Sequence, residues 1–227
     1  MAVQAPPALL QLARVLPVRP LSALTTRPAP LPTSLPPLDA LLNGGLPRGA
    51  ITVLSGDVSS GVSPLALHLL ASTQQAGQLA AFLDLPQGFD ALAALRAGVR
   101  LDDLLLARPT TVNAALSLAY DLLCEGSCGL LVVAIGGTAL PEPALHLLSN
   151  AAVRSPSALV CLTTPEASVP GAGLRLSIVR SGWEIAGGDY YALRARVTVE
   201  AGRGVIAGRS AELSLIIDEK APCWPAS

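Results

Sequence analysis

The sequence predicts an α/β protein with a mainly parallel sheet flanked by helices and with antiparallel strands near its C-terminal end. From residue 51 to residue 163, short apolar segments alternate with helical segments, which is typical of a parallel sheet covered by helices. From residue 174 onward apolar and polar residues alternate, which favours antiparallel strands. Because 51% of the 227 residues are hydrophobic and 14% are charged, the chain can also build a substantial core.

Each element follows from its own pattern. The parallel strands are predicted at five short apolar runs: Ile51–Leu54, Leu79–Leu83, Leu104–Ala107, Leu130–Ile135 and Ala158–Thr163. The helices are predicted at four longer segments: Pro64–Gln75, Phe89–Ala97, Val112–Glu125 and Pro143–Ser155. The antiparallel strands that close the sheet are predicted at Leu174–Arg180, Leu193–Glu200 and Ala211–Asp218. Proline in a first turn and glycine after a last turn support the helix bounds.

Residues 1–34 are predicted to form an N-terminal arm, and residues 35–227 form the core. Ala8–Leu16 has helical spacing and presents one apolar face, which is a candidate partner-binding surface. The leucines of that face are Leu9, Leu12 and Leu16. The prolines of Pro17–Pro37 indicate an extended linker, since each proline fixes φ and removes a backbone donor. The arm is predicted either to dock on a partner or to be a disordered tail.

Composition narrows the classes of function. The net charge of −1 provides no overall basic field for nucleic acid, so DNA binding is predicted to be weak or indirect. No apolar stretch reaches the length of about 20 residues that a membrane span needs, and the N-terminus lacks the basic region of a signal peptide. The four cysteines match no common zinc spacing and are predicted to be buried free thiols. These features predict a cytoplasmic protein.

The segment Gly56-Asp-Val-Ser-Ser-Gly61-Val62-Ser63 has the spacing of a phosphate-binding loop. The pattern G-x-x-x-x-G-K-[ST] needs glycines for the turn, a lysine for the phosphates and a hydroxyl for Mg²⁺. Val62 stands at the lysine position, and an apolar side chain cannot neutralise phosphate charge. Taken alone, the segment is more typical of an ordinary turn between a strand and a helix, because a phosphate-binding loop without its lysine is a weak match.

Several segments together resemble the ATPase core of the RecA family. They are the approach to the first strand (Leu35–Gly49), the loop above, the second strand (Ala81–Asp84), a helix-to-strand passage (Ala97–Leu105) and the Walker B strand (Leu130–Ala134). The resemblance covers most of the chain and runs without gaps from Leu46 to Ala134. It implies a RecA-like core.

The departures from the family pattern predict a pseudo-ATPase without catalytic or metal-binding residues. The resemblance places the catalytic glutamate at Pro86, the Walker B aspartate at Ala134 and the adenine-stacking aromatic at Ala93, in addition to the lysine at Val62. Phosphoryl transfer depends on positioning and on charge stabilisation by such groups. We expect no required cofactor and at most weak ATP binding by the remaining loop residues. Those residues are Gly56, Ser60, Gly61 and Ser63.

The loops that hold single-stranded DNA in the RecA family correspond to Gly136–Pro143 and Thr163–Gly173, and both are short here. Neither carries the basic and aromatic residues that single-strand binding uses. Six arginines of the C-terminal third could form a basic face, although solvent-facing positions on antiparallel strands explain them better. They are Arg175, Arg180, Arg194, Arg196, Arg203 and Arg209.

Among RecA relatives the chain resembles the ImuA group of mutagenesis accessory proteins, through its eroded ATP motifs, its brevity and the segment Gly45–Ala50. This resemblance implies a role in DNA damage response and translesion synthesis, as a non-catalytic adaptor that binds RecA or a Y-family polymerase-like subunit. Two alternatives stay open: a nucleotide-binding regulatory module and a divergent RecA- or KaiC-like ATPase.

Overall fold

The computed structural model describes residues 28–138, 140–186 and 189–217. Within these residues the strands are β1 (Ile51–Ser55), β2 (Leu79–Asp84), β3 (Leu104–Ala107), β4 (Cys128–Gly136), β5 (Ala158–Thr163), β6 (Leu174–Ala186), β7 (Asp189–Gly202) and β8 (Ser210–Ile216). They form one eight-stranded sheet in the order β3-β2-β4-β5-β1-β6-β7-β8.

Helices cover both faces of this sheet, and the predicted α/β architecture is confirmed. The described helices are α1 (Pro36–Leu41), α2 (Val62–Gln75), α3 (Ala91–Arg96), α4 (Val112–Glu125) and α5 (Glu142–Arg154), with a single 3₁₀ turn at Leu101–Asp103. Helices α1, α2 and α3 pack on one face and build one hydrophobic core. Helices α4 and α5 pack on the other face and build a second core.

The sheet is parallel from β3 to β6 and antiparallel beyond. β6 marks the change, because it runs parallel to β1 and antiparallel to β7. The first of the three predicted antiparallel strands is therefore antiparallel on one side only. The segment 164–173 returns the chain from the end of β5 to the opposite end of the sheet, so β6 starts in the same direction as β1.

The described part of the predicted arm packs against the core. Leu31 and Leu46 exchange two backbone hydrogen bonds of 2.8 Å, and Leu31 is only 3% exposed. The Thr33 backbone N–H and hydroxyl both donate to Asp39, at 2.9 and 2.8 Å. These contacts fix the chain before α1, a short helix that the sequence did not predict. Leu9, Leu12 and Leu16 lie outside the described residues.

Local signals set the ends of several helices. The Asp90 carboxylate accepts hydrogen bonds from the backbone of Leu92 and Ala93 and so caps the N-terminus of α3. The Thr111 hydroxyl caps α4 in the same way, and Gly126 ends that helix with a φ of 64°. None of the described helices combines the length and apolar character needed to cross a membrane.

The cysteines are not uniformly buried. Cys128 and Cys161 are buried free thiols, as predicted, but Cys124 on α4 is exposed, so the prediction is wrong for that residue. Cys124 lies one helical turn from Tyr120 on the solvent-facing side of α4, where the hydrophobic stripe does not extend. Cys223 lies outside the described residues.

Candidate functional site

The predicted phosphate loop joins β1 to α2 at the carboxyl ends of the parallel strands. All four predicted loop residues, Gly56, Ser60, Gly61 and Ser63, line one cavity of about 500 Å³. Residues from the ends of β2, β4 and β5 complete its walls. Ligands of open α/β sheets bind at this edge of the sheet, so the topology makes this cavity the candidate site.

The two loop glycines are required by the geometry of the turn. A Cβ added at Gly56 would lie 2.4 Å from Ser60 Oγ and 2.6 Å from the Ile178 carbonyl oxygen. Gly61 has a φ of 111°, and a Cβ there would lie 2.7 Å from Leu193 Cδ2. The loop therefore packs closely against β6 and β7, and glycine provides the space and the conformational freedom that this packing needs.

Three of the four positions assigned to catalytic groups in the RecA family surround the cavity with uncharged side chains. Val62, Pro86 and Ala134 all line it. Ala93, the position of the stacking aromatic, is half-buried against the core and does not line the cavity. The structure thus brings together the three positions whose side chains act on phosphates in the RecA family. It places the fourth position, Ala93, away from the cavity.

The buried carboxylate of Asp84 shapes one wall of the cavity. Backbone N–H groups of Gly88 and Phe89 each donate to it at 2.9 Å. Arg108 Nε lies 3.4 Å from Asp84 Oδ2. Because the carboxylate is engaged by these three groups, it organises the turn after β2.

The cavity does not fit a magnesium-bound triphosphate. Its described lining contains the carboxylates of Asp57 and Asp84 and neither lysine nor arginine. Triphosphate binding needs positive charge and a metal-organising carboxylate opposite the loop, and Ala134 supplies neither. Within residues 28–138, 140–186 and 189–217, no cluster of three metal-ligating side chains is found.

Two hydroxyls in the wall of the cavity have no hydrogen-bond partner among the described residues. They belong to Ser60 and Thr163, whose residues are 6% and 4% exposed. Buried polar groups in folded proteins nearly always have a partner. These two groups, together with the N-terminus of α2, give the cavity a residual capacity to bind a polar ligand.

An aromatic rim borders the same cavity, and the sequence analysis missed it. Trp183 lines the cavity, its ring centroid lies 5.4 Å from that of Tyr190, and the Arg180 guanidinium carbon lies 5.4 Å from the Trp183 centroid. Trp183 is 40% exposed and Tyr190 is 59% exposed. The available signal was the grouping of aromatics near residues 183–191 in a chain that is only 3% aromatic.

The six C-terminal arginines do not form one basic face. Arg194 and Arg196 pair with Glu184 and Glu212 on the surface of the antiparallel strands. Arg180 lies over Trp183, and Arg203 lies at the opposite end of the sheet. Arg180, Arg194 and Arg196 occupy exposed strand positions, as predicted, whereas Arg175 is half-buried and Arg203 and Arg209 lie on turns.

Comparison with known proteins relates the chain to one family. A sequence profile of the RecA N-terminal domain matches residues 31–147. The chain is 42% identical to protein RecA of Rhodospirillum rubrum over 107 residues, covering 47% of this chain and 29% of the relative. It is 30% identical to protein RecA of Herpetosiphon aurantiacus over 227 residues, covering 83% and 63%, respectively.

A similar match is found to protein RecA of Syntrophus aciditrophicus, at 29% identity over 229 residues, covering 84% of this chain and 67% of the relative. The matches therefore span between 29% and 67% of the length of these three relatives. The profile match includes β1 to β4, the phosphate loop and the approach segment that begins at Leu31.

Proposed function

Because this chain belongs to the RecA family, we propose that it is a non-catalytic RecA-like adaptor in DNA damage response and translesion synthesis. In this role it binds RecA, a Y-family polymerase-like subunit, or both. The RecA-like core serves as a scaffold for protein contacts, and the cavity of the phosphate loop does not turn over nucleotide.

The observation that supports a non-catalytic role is the chemistry of the intact cavity. Val62, Pro86 and Ala134 occupy the positions of the lysine, the glutamate and the aspartate, and all three line the cavity. Without the lysine, the metal-organising aspartate and the glutamate base, the transition state of phosphoryl transfer loses its main charge stabilisation. The combined loss of all three groups is hard to compensate from elsewhere.

The resemblance to the ImuA group supports the pathway. The segment of this chain that carries the resemblance, Gly45–Ala50, lies where the chain enters the sheet. Leu46 in that segment pairs with Leu31. The segment therefore couples the N-terminal arm to the first strand of the core. An arm anchored in this way is a suitable element for recruiting a partner.

The proposed contact with the partner is the apolar face of Leu9, Leu12 and Leu16. RecA subunits join through an N-terminal element that docks on a neighbouring core, and this arm is proposed to imitate that half of the interface. A helical stripe of leucines can enter an apolar groove on a partner.

The test is an affinity capture of the full-length tagged protein from DNA-damaged cells, with the partners identified by mass spectrometry. We expect enrichment of RecA or a Y-family polymerase-like subunit, and loss of that enrichment in the triple variant Leu9→Asp, Leu12→Asp, Leu16→Asp. A matched control changes Gln4 and Gln11 to alanine. Circular dichroism establishes that the core stays folded. Retained capture by the triple variant would overturn the arm contact, and absence of both partners would overturn the pathway.

A second candidate function, a regulatory module that binds nucleotide without hydrolysis, is favoured by the unpartnered hydroxyls of Ser60 and Thr163. A ligand that binds only the native state raises the melting temperature. Stabilisation by ATP without phosphate release would support this second function. DNA-stimulated phosphate release that is sensitive to changes at Gly61 or Ser63 would contradict both functions and indicate a divergent ATPase.

A further inference from the structure

A second cavity, of about 370 Å³, lies at the end of the sheet opposite the phosphate loop. It is bordered by the approach to β1, the last turn of α5 and the turn after β7. Its walls combine apolar side chains, such as Val153 and Val205, with the polar side chains of Asn43, Arg48 and Arg203. A concave apolar site with a few convergent polar groups is the usual form of a binding site.

Arg48 is held in a fixed position in this cavity. Its guanidinium donates to the backbone carbonyls of Gly129 and Pro156 and to Gln78 Oε1, the last at 3.2 Å. All three acceptors are neutral, so they orient the guanidinium and leave its charge uncompensated. Burial lowers the pKa of Arg48, but an arginine remains protonated at neutral pH.

Arg203 adds a second positive charge, on the exposed turn after β7. The described lining of the cavity contains no aspartate or glutamate. Neither Arg48 nor Arg203 takes part in an ion pair within the described residues. Two cations beside apolar walls favour a ligand that presents a carboxylate next to apolar groups.

Residues 1–27 do not match such a ligand in charge. They lead directly into the cavity wall at Pro28, but they contain three arginines and neither aspartate nor glutamate. Charge therefore disfavours this segment as the occupant of the cavity.

We propose that this cavity binds an acidic, apolar peptide segment of a partner protein, with its carboxylate at Arg48 and Arg203 and its apolar side chains against Val153 and Val205. The orientation of Arg48 by neutral acceptors lowers the entropy cost of binding. The site is separate from the phosphate loop and does not depend on the pathway proposed above.

The experiment measures fluorescence anisotropy of the full-length protein with three pools of labelled hexapeptides. In all three pools leucine, phenylalanine and valine alternate with polar residues. The polar residues are acidic in the first pool, the corresponding amides in the second and basic in the third. We expect the acidic pool to bind at least about tenfold more tightly than the amide pool. Arg203→Gln and Val153→Glu should each weaken binding of the acidic pool by about fivefold to tenfold, since both positions are exposed and either change makes the cavity less positive.

Arg209→Gln is the matched control, because Arg209 is exposed, forms no ion pair among the described residues and lies outside the cavity lining. It should leave binding unchanged. Equal binding of the acidic and amide pools, or an equal loss with Arg209→Gln, would overturn the proposal. Preference for the basic pool would also overturn it and would assign the cavity to a segment such as residues 1–27. The measurement contains no RecA, polymerase subunit or nucleotide, so its outcome is separate from that of the capture experiment.

Discussion

The Nε atom of Arg108 lies 3.4 Å from the Oδ2 atom of Asp84. The carboxylate of Asp84 is only 1% exposed and also accepts two backbone hydrogen bonds. Arg108 itself is about half exposed. The two partners therefore differ in what their removal costs, because only the carboxylate accepts hydrogen bonds from two backbone donors.

Asp84→Ala should lower the free energy of unfolding by about 2–4 kcal/mol, since it leaves two backbone N–H groups without an acceptor. Arg108→Ala should lower it by about 0.5–1 kcal/mol, because the arginine is partly solvated. Urea denaturation measures both. The exposed pair of Arg100 and Asp103 provides the control, and Asp103→Ala should cost less than about 0.5 kcal/mol. Equal losses for Asp84 and Arg108 would show that the ion pair, and not the cap, stabilises the turn.

Val62→Lys should tighten ATP binding by at least about tenfold, because it returns a cation to the wall of the phosphate-loop cavity. Val58→Lys adds the same charge in the same loop, at a side chain that is 94% exposed, and should have a much smaller effect. Calorimetric titration with ATP measures the affinities. A wild-type protein that already binds ATP as tightly as the Val62→Lys variant would contradict the expectation of at most weak ATP binding and would favour the nucleotide-binding module.

Gly61→Ala should destabilise the protein more than Gly77→Ala does. Both glycines have positive φ, at 111° and 73°, so alanine is strained at each by about 1 kcal/mol. Only at Gly61 would the new Cβ also collide with Leu193, which should add about 1–3 kcal/mol. Thermal or urea unfolding compares the two variants. Equal destabilisation of the two variants would mean that β7 shifts to make room for the new Cβ.

Alkylation should distinguish the exposed Cys124 from the buried Cys161. At pH 8, iodoacetamide should modify Cys124 in the native protein, whereas Cys161 should react only after unfolding, because burial raises the pKa of Cys161 to about 12. Peptide mass spectrometry locates the modification. Rapid alkylation of Cys161 in the native protein would contradict the packing of β5.

The raised pKa of Cys161 also predicts how stability depends on pH. The folded state keeps its proton up to a pH of about 12, whereas the unfolded thiol loses its proton near 9.0, so the free energy of unfolding should fall as the pH rises between these values. The slope should approach about 1.4 kcal/mol per pH unit for this group. Cys161→Ala should remove that part of the slope. The measurement is urea unfolding of both proteins at pH 8 and pH 10.

Most of the fold could be predicted because its signals are local. The apolar runs of β3 and β5 and the helix α4 with its stop at Gly126 agree to the residue with the bounds predicted from the sequence. Helix α1 was missed because Pro36 and Pro37 were interpreted as parts of an extended linker, although proline is tolerated in the first turn of a helix. The pairing of β6 with β1 depends on the path of the preceding connection, which a pattern of alternation does not contain.

The candidate site was predicted to the extent that its residues are contiguous. The phosphate loop is a single segment with fixed spacing, and its cavity lies where that segment indicates. The second cavity, by contrast, is formed by residues that are far apart in the chain. Arg48 and Arg203 line the same cavity only because β1 begins and β7 ends at the same edge of the sheet, and their separate sequence environments do not indicate this.

The position of β1 has a consequence for synthesis of the protein on the ribosome. β1 leaves the ribosome early, but its two neighbours in the sheet are β5 and β6, and Ile51 pairs with Leu159 about 100 residues later. Until that later part emerges, the nascent chain exposes an apolar strand without partners, a state that is prone to aggregation. We therefore expect chains truncated before β5 to bind chaperones strongly, and the turn of the phosphate loop to form only once nearly the whole core has been translated.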